Sequence, residues 1–315
     1  MSNNIAITFP GQGSQVIGMG KDLFDNFQVA KDVFHQVDEV LKYKLSEIIF
    51  NGENEELTQT NHAQPALMAT SIAIFETLKQ QFNINLNDIA KYSAGHSLGE
   101  YCALCASGAL SLEDTANLLK IRGNAMKECG SKSDGAMAAI IGSTPEVIQE
   151  LIDDVKQDQI LQIANDNSNG QIVISGQKAA VERFVTKAKE FKIRRAILLP
   201  VSGAFHSQLM QKAQEIMIDA INSTNFNKPA IAIINNVNAK PTRDIETLKD
   251  LLGKQVTSQV KWRQTILFLQ ENNIDQVLEI GSGKVLCGLF NKTAPDIKTL
   301  ALNNIADIEE YAKTI

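Results

Sequence analysis

The stretch IAKYSAGHSLGEYCALCASGAL, residues 89–110, carries the strongest architectural signal in the chain. It joins a short, moderately apolar predicted strand to a predicted helix that Gly108 would end. Residues 95–99, GHSLG, form a G-x-S-x-G pattern, whose glycines relieve crowding at a strained strand-to-helix turn and expose the Ser97 hydroxyl. Five-residue patterns also recur by chance, so an ordinary serine in a glycine-rich turn is the alternative.

Strands and helices alternate on both sides of this stretch, which favours an α/β protein. The apolar run IAITF (5–9) is a predicted strand that ends in a glycine-rich loop. Residues 64–82 are a predicted helix with Pro65 at its first helical position. Further strands are predicted at AIAIINNV (230–237) and DQVLEI (275–280).

Residues 131–199 have a different order of predicted strands and helices from the rest of the chain. Strand, helix, strand, strand, helix and strand follow one another, which is the split βαβ, ferredoxin-like order. We therefore expect a small subdomain at 131–199, inserted into a large subdomain formed by residues 1–130 and 200–315.

Composition excludes several classes of protein. The 315 residues carry a net charge of −6, which is unfavourable for nucleic-acid binding. No apolar run approaches the length of a membrane span, and the first residues lack a secretory pattern. The Cys102 and Cys105 pair has no second pair at zinc-finger spacing, so we expect buried thiols and no metal. We expect a cytoplasmic monomer without membrane or nucleic-acid partners.

Two glycine-rich runs resemble cofactor-binding motifs, but neither matches its motif at every required position. VLEIGSGKVL (277–286) resembles the first motif of an S-adenosylmethionine methyltransferase, but it lacks the third glycine and too few residues follow it. FPGQGSQVIGMGK (9–21) has Val16 where a dinucleotide fingerprint needs glycine, and it is not a Walker-type phosphate loop. The second run is instead predicted to line a site at the carboxyl end of its strand.

A serine nucleophile needs a base, and the four histidines differ in context. His206 follows a predicted strand and a Ser-Gly turn, at the sheet edge where α/β sites assemble. It is either the base or a helix-start histidine that bonds the backbone. His35, His62 and His96 are predicted to be surface, cap and turn residues. No convincing third acid occurs in the order Ser…Asp…His.

Three more residues are candidates for holding a substrate. The Leu98 N–H, directly after the serine, and the loop of Gln12 are candidate donors to an oxyanion. Arg122 lies on a mainly apolar helix, where it either extends to solvent or turns inward to an anionic partner.

Six ordered blocks together resemble the malonyl-CoA:acyl-carrier-protein transacylases of fatty-acid synthesis. They cover nearly the whole chain: FPGQGSQ, QPAL, GHSLGEY, VISG, FHS and LEIGSGKVL. The resemblance implies an α/β fold, with an α/β-hydrolase-like core and the inserted ferredoxin-like subdomain. The sequence GAFH before and including His206 is similar to the HAFH of malonyl-preferring relatives. Ser282 stands where the family commonly has proline.

The resemblance also implies a role for each site residue. Ser97 would be the nucleophile and His206 its base, oriented by backbone carbonyls. The amides of Leu98 and Gln12 would form the oxyanion hole. Arg122 would bind the malonyl carboxylate, and Gln255 would be a glutamine that supports the site.

The implied reaction moves malonyl from malonyl-CoA to the phosphopantetheine thiol of acyl carrier protein, through a malonyl ester on the serine. It needs no metal and no cofactor besides the coenzyme A thioester substrate.

Carrier proteins of this pathway are acidic, so a basic docking patch is predicted, with a merely solvated helix face as the alternative. Its residues are Lys187, Lys189, Lys192, Arg194 and Arg195. The rival functions are a serine esterase or thioesterase and a non-catalytic acyl-binding protein.

Overall fold

The computed structural model describes residues 4–201 and 203–315. Its strands are β1 (Ile5–Phe9), β2 (Ala90–Gly95), β3 (Gly135–Ile141), β4 (Leu161–Ser168), β5 (Gln171–Gln177), β6 (Arg195–Leu198), β7 (Ala232–Ile234), β8 (Pro241–Thr242), β9 (Gln276–Ile280) and β10 (Lys298–Leu302). Six of them form a sheet in the order β10-β9-β1-β2-β7-β8. The neighbouring pairs are parallel except for β7 and β8. The carboxyl ends of β1 and β2 therefore meet at one edge.

Helices pack on both faces of this sheet, and two further helices pack on the small sheet described below. They are α1 (Lys21–Asn26), α2 (Gln28–Leu41), α3 (Leu45–Asn51), α4 (Asn54–Thr58), α5 (Thr60–Gln81), α6 (Leu86–Ile89), α7 (Gly99–Ala106), α8 (Leu112–Lys132), α9 (Pro145–Val155), α10 (Lys178–Lys187), α11 (Gln211–Asn222), α12 (Ile245–Lys254), α13 (Trp262–Glu271), α14 (Val285–Thr293) and α15 (Ile305–Ala312), with a 3₁₀ turn at Gln208–Met210. None of those described is long and apolar enough to cross a membrane.

The small sheet has the order β4-β5-β3-β6, and its neighbouring strands are antiparallel. Helices α9 and α10 bury their apolar faces against it, in a core of its own that includes Ile140, Ile152 and Phe184. Thr144 caps α9, and Pro145 takes the first helical position, where its missing N–H costs nothing. The predicted α/β fold with a ferredoxin-like insertion is confirmed, while the exact subdomain limits stay predictions.

Pro65 is not where the sequence predicted it. Helix α5 begins at Thr60, because the Gln59 carbonyl already accepts the N–H groups of His62 and Ala63 at 2.8 Å. Pro65 therefore lies inside the helix, and the prediction of a first-turn proline was wrong. Helix α8 packs closely on the first turn of α5: a Cβ on Gly123 would lie 2.7 Å from the Asn61 Cα.

A buried ion pair joins the two subdomains. Asp166 at the end of β4 is 1% exposed, and both of its carboxylate oxygens accept hydrogen bonds from the Arg263 guanidinium of α13. Gln264 Nε2 adds a third bond at 3.1 Å. Next to this pair the backbones of Ala164 and Val260 are joined at 2.8 Å. The end of β4 is thereby fixed on the large subdomain.

We expect Arg263→Met to lower the free energy of unfolding by about 2–4 kcal/mol, because Asp166 keeps its burial but loses its counter-charge. Urea denaturation followed by circular dichroism measures this change. Lys21→Met is the control: it removes an exposed pair with Asp25 and should cost less than about 0.5 kcal/mol. Equal, small losses of stability in both variants would contradict a stabilising role of the Asp166–Arg263 pair.

Candidate active site

Ser97 lies at the turn between β2 and α7. Its φ of 53° is in the left-handed region that residues with a side chain rarely adopt. Two glycines make room for this turn. A Cβ on Gly95 would lie 1.9 Å from the Gly99 carbonyl, and a Cβ on Gly99 would lie 2.3 Å from the Phe9 oxygen. The turn has the strand-to-helix form that the GHSLG pattern predicted, and it presents the serine at the carboxyl end of β2.

His206 faces this serine. Its Nε2 lies 2.8 Å from the Ser97 Oγ, and its Nδ1 lies 3.0 Å from the Gln255 carbonyl oxygen. Because a carbonyl only accepts, Nδ1 carries the proton of the neutral ring and Nε2 accepts from the serine hydroxyl. Burial, and then the charge of Arg122, lower the pKa of His206 to about 3. The ring is therefore a neutral acceptor at neutral pH.

Arg122 is buried beside the same serine, at 1% exposure. Its Nη1 donates to Gln64 Oε1 at 2.6 Å, and its Nη2 donates to Ser97 Oγ at 3.0 Å and to Gln255 Oε1 at 2.9 Å. The alternative in which this arginine extends into solvent is wrong. A guanidinium held inside the protein within bonding distance of the Ser97 hydroxyl offers a fixed cationic partner for an anionic group.

Two side-chain amides hold the turn from outside. Gln255, directly after α12, donates through Nε2 to the Ser97 carbonyl at 2.9 Å and to Glu100 Oε2 at 2.8 Å. Asn236, shortly after β7, accepts the Ser97 N–H at Oδ1 and donates through Nδ2 to the Gly95 carbonyl, both at 2.7 Å. Sequence reasoning missed Asn236 and Glu100. The available signal for Asn236 was its place at the carboxyl end of a predicted strand.

The two predicted oxyanion donors reach the site from different elements. Leu98 directly precedes α7, and Gln12 lies in the loop after β1. Among the described residues, neither of their N–H groups donates to another protein group. The Gln12 side chain accepts from Thr60 Oγ1 at 3.1 Å, and that hydroxyl accepts from Gln64 Nε2 at 2.7 Å. The loop is thus linked to the glutamine that holds the guanidinium.

The loop of Gln12 is packed tightly on the serine turn. A Cβ on Gly11 would lie 2.8 Å from the His96 carbonyl oxygen and 2.9 Å from its Nδ1. On the far side, the Ser282 hydroxyl donates to the Ser14 carbonyl at 2.7 Å. A proline at this position, as the sequence resemblance implies, has no hydroxyl and could not make this bond.

These groups open into a cavity of about 360 Å³ between the subdomains. Met126 and Phe205 supply apolar walls from the large subdomain, and Met137 and Val173 supply them from the small sheet. Asn165 and Asn167 at the end of β4 add polar amides. An apolar chamber with few convergent polar groups is typical of a small-molecule site.

The other histidines have different partners. His96 Nε2 lies 2.8 Å from Asn167 Oδ1. His62 Nδ1 lies 3.0 Å from a backbone carbonyl in α4, and His35 packs on an aromatic ring. Within the described residues, His206 is the one that bonds the serine hydroxyl. No group of three or more His, Cys, Asp or Glu side chains that could hold a metal occurs in this part of the chain.

A serine at such a turn, a neutral histidine beside it and two free backbone N–H groups define the class of serine enzymes that work through acyl intermediates. The site alone does not specify the acyl acceptor, which is water in hydrolases and another carrier in transferases. Similarity to known proteins narrows this class.

The sequence model of the acyl transferase domain matches residues 7–306. A malonyl CoA-acyl carrier protein transacylase from Bacillus subtilis (strain 168) is 41% identical over 314 residues, which cover 99% of this chain and 98% of that protein. The crystal structure of an acyl-carrier-protein S-malonyltransferase from Bartonella henselae is similar with a TM-score of 0.95 and 47% identity, covering 100% of this chain and 99% of that one.

A third similar structure is a malonyl-transacylase in complex with a type II PKS acyl-carrier protein, with a TM-score of 0.94, 35% identity and 99% of each chain covered. The chain therefore belongs to the acyl transferase domain family and, within it, to the malonyl CoA-acyl carrier protein transacylases. The family predicted from the six sequence blocks is confirmed.

We expect Gly11→Ala to slow acylation of the serine by an acyl-CoA by at least about 10-fold, because the new Cβ would push the Gln12 donor away from the turn. Quenched-flow mass spectrometry of the acyl-enzyme measures the rate. Gly288→Ala is the control, since a Cβ there would meet nothing within 4 Å. It should leave the rate unchanged and stabilise α14 by up to about 1 kcal/mol. Equal rates in both variants would contradict this function of the loop.

Proposed function

We propose that this chain transfers a malonyl group from malonyl-CoA to the phosphopantetheine thiol of acyl carrier protein, through an ester on Ser97. One observation carries the proposal: Ser97 Oγ lies 2.8 Å from His206 Nε2 and 3.0 Å from Arg122 Nη2. The malonyl thioester is an acyl donor with a free carboxylate, which matches the buried guanidinium beside the nucleophile. The names of the similar proteins support the same substrates.

In the first half-reaction, the malonyl carboxylate binds Arg122. His206 Nε2 takes the Ser97 proton while Oγ attacks the thioester carbonyl. The developing oxyanion accepts hydrogen bonds from the N–H groups of Leu98 and Gln12. The C–S bond then breaks, and coenzyme A leaves as a thiol with the proton from the imidazolium. The malonyl ester of Ser97 remains.

In the second half-reaction, the carrier-protein thiol takes the place of coenzyme A. His206 accepts the thiol proton, and the thiolate attacks the ester carbonyl. The ester C–O bond breaks, and Ser97 recovers its proton from the imidazolium. The cycle is ping-pong, with the same groups acting in both directions. Gln255 supports both halves, because its carbonyl holds the Nδ1 proton of His206 and its side chain holds the guanidinium.

A serine esterase or thioesterase is the second candidate, since it uses the same serine and histidine with water as acceptor. The buried Arg122 favours an acyl group that carries a carboxylate, and the family favours a carrier thiol as acceptor. We also propose that the reaction takes place in the cytoplasm, that the chain is a monomer without membrane or nucleic-acid partners, and that it uses no metal or cofactor beyond the coenzyme A thioester.

We further propose that a basic docking patch on the small subdomain binds the acidic carrier protein. Lys187 is paired with Asp154 at 2.6 Å. Next to the patch, β6 exposes Ile197 (51%) and Leu198 (46%), and residues 199–201 then line the cavity. Exposed cations beside an apolar edge at the cavity mouth suit a partner with an acidic surface and a few apolar side chains. The exposed patch residues are Lys189, Lys192, Arg194 and Arg195.

Mixing with malonyl-CoA should add one malonyl group to the parent chain and none to Ser97→Ala, as measured by intact mass spectrometry. Carrier protein added afterwards should remove the adduct and gain the malonyl mass itself. Free malonate accumulating without transfer would instead support the hydrolase. A fully inert parent chain would support a non-catalytic acyl-binding protein.

Charge reversal of the patch, Lys189→Glu with Arg194→Glu, should raise the KM for carrier protein by about 5- to 50-fold and leave the KM for malonyl-CoA unchanged, because rim charges act on encounter. The effect should shrink as salt is added. Lys298→Glu with Lys313→Glu reverses two exposed charges on the large subdomain and serves as the control. An unchanged KM for carrier protein in the patch variant would exclude this surface.

A further inference from the structure

Glu100 is a buried acid that the steps above do not use. It lies in the first turn of α7, three residues after the nucleophile, and it is 1% exposed. A buried carboxylate is costly unless hydrogen bonds and an opposite charge compensate it. The nearby cation is Arg122, whose positive charge acts on Glu100. Its hydrogen-bond donors are amide groups on two other segments.

One oxygen of this carboxylate joins three segments of the chain. Glu100 Oε2 accepts from Gln255 Nε2 at 2.8 Å and from the Asn236 backbone N–H at 3.0 Å. Both partners also contact the proposed catalytic pair. Asn236 Oδ1 accepts the Ser97 N–H at 2.7 Å, and the Gln255 carbonyl lies 3.0 Å from His206 Nδ1.

Together with the Ser97 carbonyl and Arg122, Glu100 sets which way the Gln255 amide faces. An amide presents two donors on one side and an acceptor on the other, and its partners set its orientation. With Nε2 directed to Glu100 and to the Ser97 carbonyl, Oε1 faces the Arg122 guanidinium, which only donates. In the opposite orientation two donors would face each other inside the protein.

We propose that Glu100 is a positioning residue for acyl transfer: its carboxylate holds Gln255 and Asn236 where they in turn hold His206 and Ser97. The inference rests on the proposed malonyl transfer through Ser97. Glu100 does not line the cavity, so it acts through these partners and not on the substrate.

The charge of Glu100 changes near neutral pH. Burial raises its pKa to about 7, against the opposing effects of the Gln255 and Asn236 bonds and of Arg122. The other titratable groups around Glu100 change their charge at other pH values: burial raises the pKa of Tyr101 and lowers that of His206 to about 3. Burial also lowers the pKa of His96. Loss of the ionised Glu100 below pH 7 weakens both of its bonds, because bonds to a charged acceptor are about twice as strong as neutral ones.

Glu100→Gln tests the proposal, because it keeps the size and one acceptor oxygen but removes the charge. We would measure the single-turnover kcat/KM for malonylation of Ser97 from about pH 5 to about pH 9. The parent rate should fall as the pH falls through about 7. The variant should show a flat profile, about 10-fold below the parent at high pH. Affinity for malonyl-CoA, measured with Ser97→Ala alone and combined with Glu100→Gln, should agree within about twofold.

Asp38→Asn is the matched control for folding. Asp38 in α2 is also buried, at 4%, and accepts from the N–H and hydroxyl of Ser46 in α3; neither residue lines the cavity. It should lose stability without a change in the pH profile. A parent rate that is flat near pH 7, or a Glu100→Gln variant that keeps the parent's rate and slope, overturns the proposal. So does a variant that loses rate equally at every pH with a larger stability loss than Asp38→Asn. A parent without any malonyl adduct defeats the proposed function itself, whereas a normal adduct with an unaltered variant defeats the Glu100 inference alone.

Discussion

The burial of the Arg122 guanidinium is the constraint around which the site is built. A cation inside a protein needs hydrogen-bond acceptors, and here Gln64, Gln255 and Ser97 accept from its two terminal nitrogens. Each acceptor belongs to a different element, so the charge holds α5, the residue after α12 and the serine turn together. The same charge disfavours a second cation nearby, and it adds to burial in keeping His206 neutral. One buried charge thus organises the packing and sets the protonation state of the proposed base.

Backbone geometry forms a second layer of the design. Ser97 and His206 both have positive φ, at 53° and 55°. Such conformations are unfavourable for residues with side chains and persist only where their surroundings hold them. Asn236 supplies part of that support by bonding the Ser97 N–H and the Gly95 carbonyl. The small subdomain closes the chamber from the other side, and the Asp166 pair fixes the strand that brings its polar amides there.

The sequence was informative wherever a local pattern has a local cause. Alternation of strands and helices predicted the α/β class, and GHSLG predicted the turn at Ser97. Patterns of this kind carry no information on contacts between distant segments. Burial of Arg122 depends on acceptors 25 to 133 residues away in the sequence. The alternative in which its side chain extends into solvent was therefore wrong. Glu100 and Asn236 meet across 136 residues, and no periodicity marks them. Pro65 was misplaced because its helix begins about one turn earlier, where the Gln59 carbonyl accepts the first backbone bonds.

A backbone carbonyl, and not a carboxylate, orients His206, and this choice suits thiol exchange. The carbonyl fixes the tautomer but adds no negative charge that would stabilise an imidazolium, which leaves a weak base with a pKa of about 3. A thiol has an ordinary pKa near 8.5, so it is deprotonated and expelled with little assistance. Water, with a pKa of about 15.7, demands much more from its base. In the second half-reaction of the proposed mechanism, the carrier-protein thiol therefore needs less help from His206 than a competing water molecule would.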